Sequence, residues 1–358
     1  MKILFVDEMT TGCYFVRTKV YADELRKLGH DVLVVDGKNA PENILDYDII
    51  CFNRLAEGDL ELTFEYLKGH GKIISYDTDD AINLVEPTNM VYYHIKEHLK
   101  SYYYIINESN IITTTTPLLG NEISSHTPQP IYVFPNCIVP EQWKKRAGGN
   151  VIPRIGFAGS NSHIADIVPA LDGIIKLQEE RDFEFVLFGF SPSHDTWQDW
   201  INDNYNAIKN PAYPIYKAFI ELEKRLKQIK NLKWEKAVSV FDYQNRLSEL
   251  NFDIGIAPIL DTPFNRSKSE LKLLEYAMVG TPTVAINIPP YLGTPAIQIE
   301  NNPHKWYTKL MYCLDNPEYI KVKWQEQYDW VLENRDIAIW GKKRAELYES
   351  LLNGKSGI

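Results

Sequence analysis

Short apolar runs alternate along the chain with segments in which apolar positions return every three or four residues. Runs at 2–6, 31–35, 48–52, 72–76, 110–116 and 131–134 read as strands. The stretches 16–28, 59–69, 90–106 and 117–124 read as helices, the last opening on Pro117, a residue favoured in a first helical turn. The alternation breaks at 142–153, where KKRAGGN makes a polar, Gly-rich linker. It then restarts, with strands at 154–157, 183–188, 232–238, 254–259, 283–286 and 296–299. Helices are expected at 164–178, 242–250, 268–279, 303–314, 317–333 and 337–352. Strands alternating with helices imply parallel sheets covered on both faces. The expected fold is therefore α/β, with two Rossmann-like doubly wound domains (1–148 and 149–334) facing a cleft and a last helical segment at 335–358. The stretch 191–230 is longer than a crossover needs and reads as an insertion with a charged helix at 216–230. Acceptor binding, dimerisation and capping of the sheet are its open readings.

Composition narrows the class without changing this picture. A length of 358 residues suits two domains. Hydrophobic content of 44% and charged content of 24% are those of an ordinary soluble protein. No apolar run approaches a membrane span, and MKILFVDE reads as a first strand rather than a signal peptide, so a cytoplasmic protein is expected. A net charge of −10 argues against gripping nucleic acid over a wide face and leaves room for a local basic cleft. Cys13, Cys51, Cys137 and Cys313 form no C-x-x-C pair and read as reduced thiols. The eight histidines show no metal-ligand spacing, so no metal site is expected.

In open α/β sheets ligands sit beyond the carboxyl ends of the strands, so the residues after each strand carry the candidate chemistry. The first is followed by DEMTTGCY, with no G-x-G-x-x-G, which argues against a nicotinamide dinucleotide. Gly12 there either lets a ligand approach the backbone or turns the chain. Tyr14 is a candidate acceptor contact. The fourth strand is followed by Asp77-Thr78-Asp79-Asp80. Three carboxylates at a strand end need water, a cation or sugar hydroxyls, or else mark a helix N-terminus. A ligand-facing role is expected, with Asp77 toward the acceptor. After 154–157 come Gly159, Ser160, Asn161, Ser162 and His163, where small residues at a helix start leave amides for a phosphate. His163 is a ligand contact or a helix-start residue. After 254–259 a polar loop carries Arg266 into a helix expected to begin at Lys268-Ser269. Lys272 and Glu275 share a face of that helix and could be a solvated pair. With Arg266 and Lys268 beside them, they instead suit a diphosphate and a ribose.

The block APILDTPFNRSKSELKLLEYAMVGTPTVA resembles the donor site of retaining glycosyltransferases with two Rossmann-like domains (the GT-B architecture), in particular glycosyltransferase family 4 and its bacterial polysaccharide-type relatives. GHDVLVV, YDTDD, VFPN and GFAGSNSH follow in the expected order, so the resemblance spans most of the chain. It implies a nucleotide-diphosphate sugar donor, UDP- or GDP-linked, no cofactor, no metal, and transfer with retention to a glycan or lipid-linked acceptor. It implies that Glu275 holds the ribose, that 238–243, with Val238 and Phe241, borders the base, and that Gly12 lies near the diphosphate and acceptor. It also implies that the last helix crosses back onto the N-terminal domain. The family has a second glutamate eight residues before the first, and Ser267 stands there; Glu270 is the nearest substitute. Lys268, Ser269 and Lys272, with Arg266 and the 159–161 amides, would then meet the diphosphate. Asp79 and Asp80 would orient the acceptor or steady the oxocarbenium-like centre. Transfer to a modified DNA base or a protein, binding of a nucleotide sugar without catalysis, and peripheral membrane contact stay open as alternatives.

Overall fold

A computed structural model of the protein describes residues 1–9, 11–37, 41, 43–54, 60–189 and 213–354. Twelve strands form two six-stranded sheets, parallel throughout. The first sheet has the order β2-β1-β3-β4-β5-β6, from β1 (Lys2–Asp7), β2 (Asp31–Asp36), β3 (Ile49–Asn53), β4 (Ile73–Thr78), β5 (Ile111–Thr114) and β6 (Ile131–Val133). The second has the order β12-β11-β10-β7-β8-β9, from β7 (Arg154–Ala158), β8 (Glu184–Phe188), β9 (Leu232–Glu235), β10 (Ile254–Ala257), β11 (Thr283–Ile286) and β12 (Ile297–Ile299). The direction of winding reverses between β1 and β3 in one sheet and between β7 and β10 in the other. At such switch points the flanking loops part and leave a crevice.

Most predicted elements are present with shifted ends. The expected helix at 16–28 starts earlier, as a π-helical turn (Tyr14–Lys19) that leads into an α-helix (Val20–Lys27). The widened turn contains Arg17, whose guanidinium is wholly buried. The strand expected at 232–238 stops at Glu235, which leaves Val238 in a loop. The helix expected from Lys268 begins at Leu271 and runs to Met278, with Glu270 as its N-cap. Lys268 and Ser269 belong instead to the loop after a short helical turn, Pro263–Arg266, capped by the Thr262 hydroxyl. The polar stretch expected as a linker is pinned to the second sheet, where Arg146 pairs with Asp253 at 2.6 Å and the Gly148 amide bonds to Asn251.

Part of the expected insertion lies outside the described residues, namely 191–212. Its described end is the helix Pro214–Leu226, whose buried Ile215, Phe219, Leu222 and Leu226 join the apolar core with the helix Ile164–Leu177. This helix is a structural member of the β8–β9 crossover.

The final helix, Ile337–Leu352, packs on the first half of the chain. Ala345 and Tyr348 join the core of Ile3, Phe5, Ala22 and Leu25. Gly341 permits the approach, since a Cβ there would fall 2.4 Å from the Glu24 side chain. The helix drives Arg344 into the protein, where it meets Asp77 at 3.1 Å. Asp77 also takes two bonds from Arg17 (2.8 and 2.9 Å) and one from Thr113 (2.5 Å). Burial alone would raise its carboxyl, but the two guanidinium groups outweigh burial and hold it below the ordinary value. The expectation that Asp77 faces an acceptor is therefore corrected: it is 2% exposed and fully engaged beneath the cleft.

Two predictions arise from these buried charges. Asp77→Asn strands two buried guanidinium groups and should lower the unfolding free energy in urea by about 3–5 kcal/mol. Asp7, at the end of β1, accepts from Asn53 (2.6 Å) and the Glu8 amide (2.7 Å), yet burial pushes it from 3.8 to about 6. Below about pH 4 the group is neutral in folded and unfolded chains alike; as pH rises through 6 it must ionise while buried, and stability worth about 3 kcal/mol is lost. Asp7→Asn should remove that loss, giving a flatter urea midpoint between pH 4 and 6.

Candidate active site

The two switch points face each other across one cleft of about 530 Å³. Gly12 and Cys13, after β1, and Arg54, after β3, line it from the first sheet. Gly159, Ser160, Ser162 and His163, after β7, and Lys268, Ser269, Lys272 and Glu275, after β10, line it from the second. Val238 closes one edge.

On the second-sheet side the chain after β7 enters a 3-10 turn (Asn161–His163) and then the helix Ile164–Leu177. The Gly159 amide bonds to the Phe188 carbonyl, while Gly189 (φ +91°) sits against the Gly159 carbonyl. A Cβ on Gly189 would lie 2.5 Å from that oxygen, so the close seating of the two loops requires glycine there. The Gly159 amide is thereby spent on Phe188, so an anion at this helix start would be met by the amides that follow Gly159 rather than by its own. Ser162, rather than Asn161, reaches the cleft wall beside Ser160.

His163 is fixed from behind. Its Nδ1 lies 2.8 Å from Asp166 Oδ2, and Asp166 Oδ1 accepts from the Leu260 amide (2.8 Å) and Asn265 Nδ2 (2.9 Å). Burial and then the charge of Lys268 hold the imidazole below its ordinary value. Burial pushes Asp166 up, but the hydrogen bond from His163, the charge of Lys268 and the Leu260 amide outweigh this and keep it low.

Glu275 accepts from Lys272 Nζ (2.8 Å) and the Tyr243 hydroxyl (2.9 Å). The Tyr243 ring stacks on Phe188 at 5.5 Å and 11°, which makes an aromatic shelf beside Val238. Lys268 Nζ lies over the Phe264 ring at 4.7 Å.

The stretch that carries these groups is held by the first half of the chain. Thr116 Oγ1 donates to the Ser267 carbonyl at 2.8 Å, and Asn136 Nδ2 to Ser269 Oγ at 2.8 Å. The Phe264 ring enters the first sheet's apolar core with Ile82 and Val85. Asn136 in turn accepts from Arg17 at 3.3 Å. These contacts pull 267–269 off the helical path.

Several expected site residues do not reach the cleft. Arg266 makes a two-pronged pair with Asp261 (2.5 and 2.9 Å) and is more than half exposed, so solvent takes the place of a ligand. Glu270 is buried and bound to Arg335 at 2.5 Å, so it offers no free carboxylate in place of the absent glutamate. Ser267 is buried, and its hydroxyl donates to the Pro263 carbonyl at 3.2 Å. Tyr14 is buried behind the wall; its ring meets Phe241 edge-on at 6.3 Å, and Phe241 is otherwise exposed rather than lining the cavity.

Asp79 and Asp80 do line the cleft, paired with Arg54 at 3.5 and 3.3 Å. Arg54 has φ +55°, a left-handed conformation costly for a side chain with a Cβ. It also donates to Cys13 Sγ at 2.6 Å. Sequence reasoning passed over Arg54, although it is the first residue after β3 and the strand-end rule points to it. Tyr243 was reached only as the end of the 238–243 span expected at the base, and Asn136 was given no role, because its partners Arg17 and Ser269 are remote in sequence.

No protein-family model matches this sequence, and no curated protein matches it either. Solved structures do share its fold at low identity. The chain is similar to Anabaena HepE in complex with UDP and glucose, with a TM-score of 0.67 at 12% identity over 98% of this chain and 100% of that one. It is similar to a glycosyltransferase from Rickettsia africae ESF-5, with a TM-score of 0.67 at 13% identity over 99% of each chain. It is also similar to an α,α-trehalose-phosphate synthase (UDP-forming) from Burkholderia vietnamiensis, with a TM-score of 0.63 at 10% identity over 98% of this chain and 99% of that one. The two parallel six-stranded sheets and their helices are thus the α/β architecture of GT-B glycosyltransferase structures.

Proposed function

We propose that this protein transfers a sugar from a nucleoside-diphosphate sugar to an acceptor hydroxyl, in the manner of the family 4 glycosyltransferases its donor stretch resembles. The observation that carries the reading is the convergence of Gly159, Ser160, Lys268, Lys272 and Glu275 at the second sheet's switch point. The amides and ammonium groups suit a diphosphate, and Glu275, already oriented by Lys272 and Tyr243, suits ribose hydroxyls. The shelf of Phe188 and Tyr243 beside Val238 suits a base. HepE, whose fold this chain shares, was crystallised with UDP and with UDP-glucose, which favours uridine over guanosine.

The acceptor lies against the first sheet's wall, where Phe15, Val16, Val85 and Ile95 alternate with the Arg54–Asp79–Asp80 cluster. Such a wall suits an acceptor with both apolar and hydroxyl-bearing parts, as a lipid-linked glycan has. Transfer proceeds with retention and without a metal, as the donor-stretch resemblance implies. The bond from the sugar C1 to the phosphate oxygen breaks, the acceptor oxygen bonds to C1 from the same face, and its proton passes to the departing phosphate. Lys268 and Lys272 offset the charge that develops on that phosphate, in a site where such preorganised donors act strongly. Asp79 and Asp80, their charge balanced in part by Arg54, orient the acceptor or steady the oxocarbenium-like centre. A second reading, donor binding without transfer, is favoured by Ser267 and by the engagement of Glu270 with Arg335, which leave the sugar without its usual carboxylate.

Lys268→Ala should lower turnover of UDP-sugar by a factor of about 10² to 10³, the range for loss of one transition-state donor. An unchanged kcat/KM would remove Lys268 from the reaction. Glu275→Ala should weaken UDP binding in calorimetry more than it lowers kcat, and an affinity equal to wild type would refute the ribose role. Release of free UDP from UDP-sugar without acceptor separates the transferase from the pure binder.

A further inference from the structure

The pair of His163 and Asp166 does more than the donor site needs for shape. We propose that His163 takes up one proton when a nucleoside diphosphate fills the cleft, with Asp166 as the positioning residue that makes this possible. The inference rests on the reading of the cleft as a nucleoside-diphosphate site.

Asp166 is buried, and its oxygens are committed to three donors, one of which is His163 Nδ1. A carboxylate can only accept, so Nδ1 carries the hydrogen and Nε2 of the neutral ring is bare. His163 lines the same cleft as the loop after β7 and the two lysines after β10. The groups around the ring come from several elements. Asp166 faces it from its own helix, and Lys268 and Lys272 bear on it from the loop and helix after β10. The Phe157 ring of β7 meets it edge-on and brings no charge. From the first half, Glu86 acts at one remove, through Asp166 and Thr262. Lys272 is partly balanced by Glu275.

In the free protein, burial and the lysines keep the ring neutral. A diphosphate brings negative charge to the same lysines and to the amides beside His163. The potential at Nε2 then becomes less positive, which favours its protonation. Protonation there supplies one more donor to the phosphate, while Asp166 holds the imidazolium at the opposite nitrogen. A lone histidine at a helix start would lack this support, since the helix N-terminus disfavours a cation.

The balance of the transfer is consistent with this. The acceptor O–H bond and the C1–O(phosphate) bond break, and the acceptor O–C1 bond forms. The released proton passes to the departing phosphate oxygen, while the proton taken up on nucleotide binding stays on Nε2 and donates to the same diphosphate, so the leaving group and the imidazolium form one hydrogen-bonded pair.

The test is the titration of the His163 ring by NMR of histidine-labelled full-length protein, the resonance being assigned by its loss in His163→Gln. Free protein should titrate below pH 6.5. Saturating UDP, or GDP if UDP does not bind, should raise the midpoint by about one to three pH units, the range for a nearby opposite charge. Calorimetry of wild type near pH 7, in buffers of different ionisation enthalpy, should show more proton uptake on nucleotide binding than His163→Gln does. Asp166→Asn should lower the midpoint in the nucleotide complex. If that variant does not fold, the wild-type titration decides alone. A nucleotide that binds without moving the midpoint overturns the inference and leaves the site reading standing. If neither nucleotide binds, the site reading fails and the inference with it.

Discussion

The structure depends on one buried carboxylate. Asp77, next to last in β4, lies between the guanidinium groups of Arg17 and Arg344, all three excluded from water. Moving such charges out of water is costly, and mutual attraction repays the cost only with good geometry and further hydrogen bonds. Here the geometry is supplied by three remote parts of the chain. Arg17 comes from a π-helical turn after β1, Arg344 from the final helix, and Asp77 from the sheet between them. The arrangement exists only when the last helix has returned to the first sheet, so it couples that return to the ordering of the cleft floor.

From Asp77 the order spreads to the donor stretch. Arg17 also donates to the Phe134 carbonyl (2.5 Å) and to Asn136, and Asn136 holds Ser269. On the other side Asp166 holds Asn265, the Leu260 amide and His163. Lys268 therefore stands on a loop gripped from both sheets, and its placement owes as much to buried polar bonds as to the helix that follows. Buried polar groups of this kind are costly when unpaired, which makes the correct docking of the halves self-checking.

The alternation of apolar runs and periodic segments sufficed to find both sheets, because strands buried in parallel sheets and helices that cover them carry that pattern locally. It also sufficed to place Gly159, Lys268, Lys272 and Glu275 on the wall of one cleft, because strand ends and helix starts are local features. What could not be read were choices made by distant partners. Asp77 looks like Asp79 and Asp80 in sequence, and only Arg17 and Arg344, 60 and 267 residues away, distinguish it. Arg266 and Glu270 look like ligand contacts until Asp261 and Arg335 are seen to take them. Tyr14 looks free in a loop and is closed off by Phe241. The start of the helix after β10 was misread for the same reason, since Asn136 pulls Ser269 away from the helical path.

The grip of the first half on residues 264–269 has a mechanical meaning. Phe264, Ser267 and Ser269 are fastened beside the ends of β4, β5 and β6, near one side of the cleft. The other side, near the end of β1, is closed by the edge contact of Tyr14 with Phe241. The halves are thus joined unevenly around the cleft, by buried contacts at 264–269 on one side and by the exposed ring of Phe241 on the other. Any motion between the halves would therefore move Lys268 less than Val238 and Phe241.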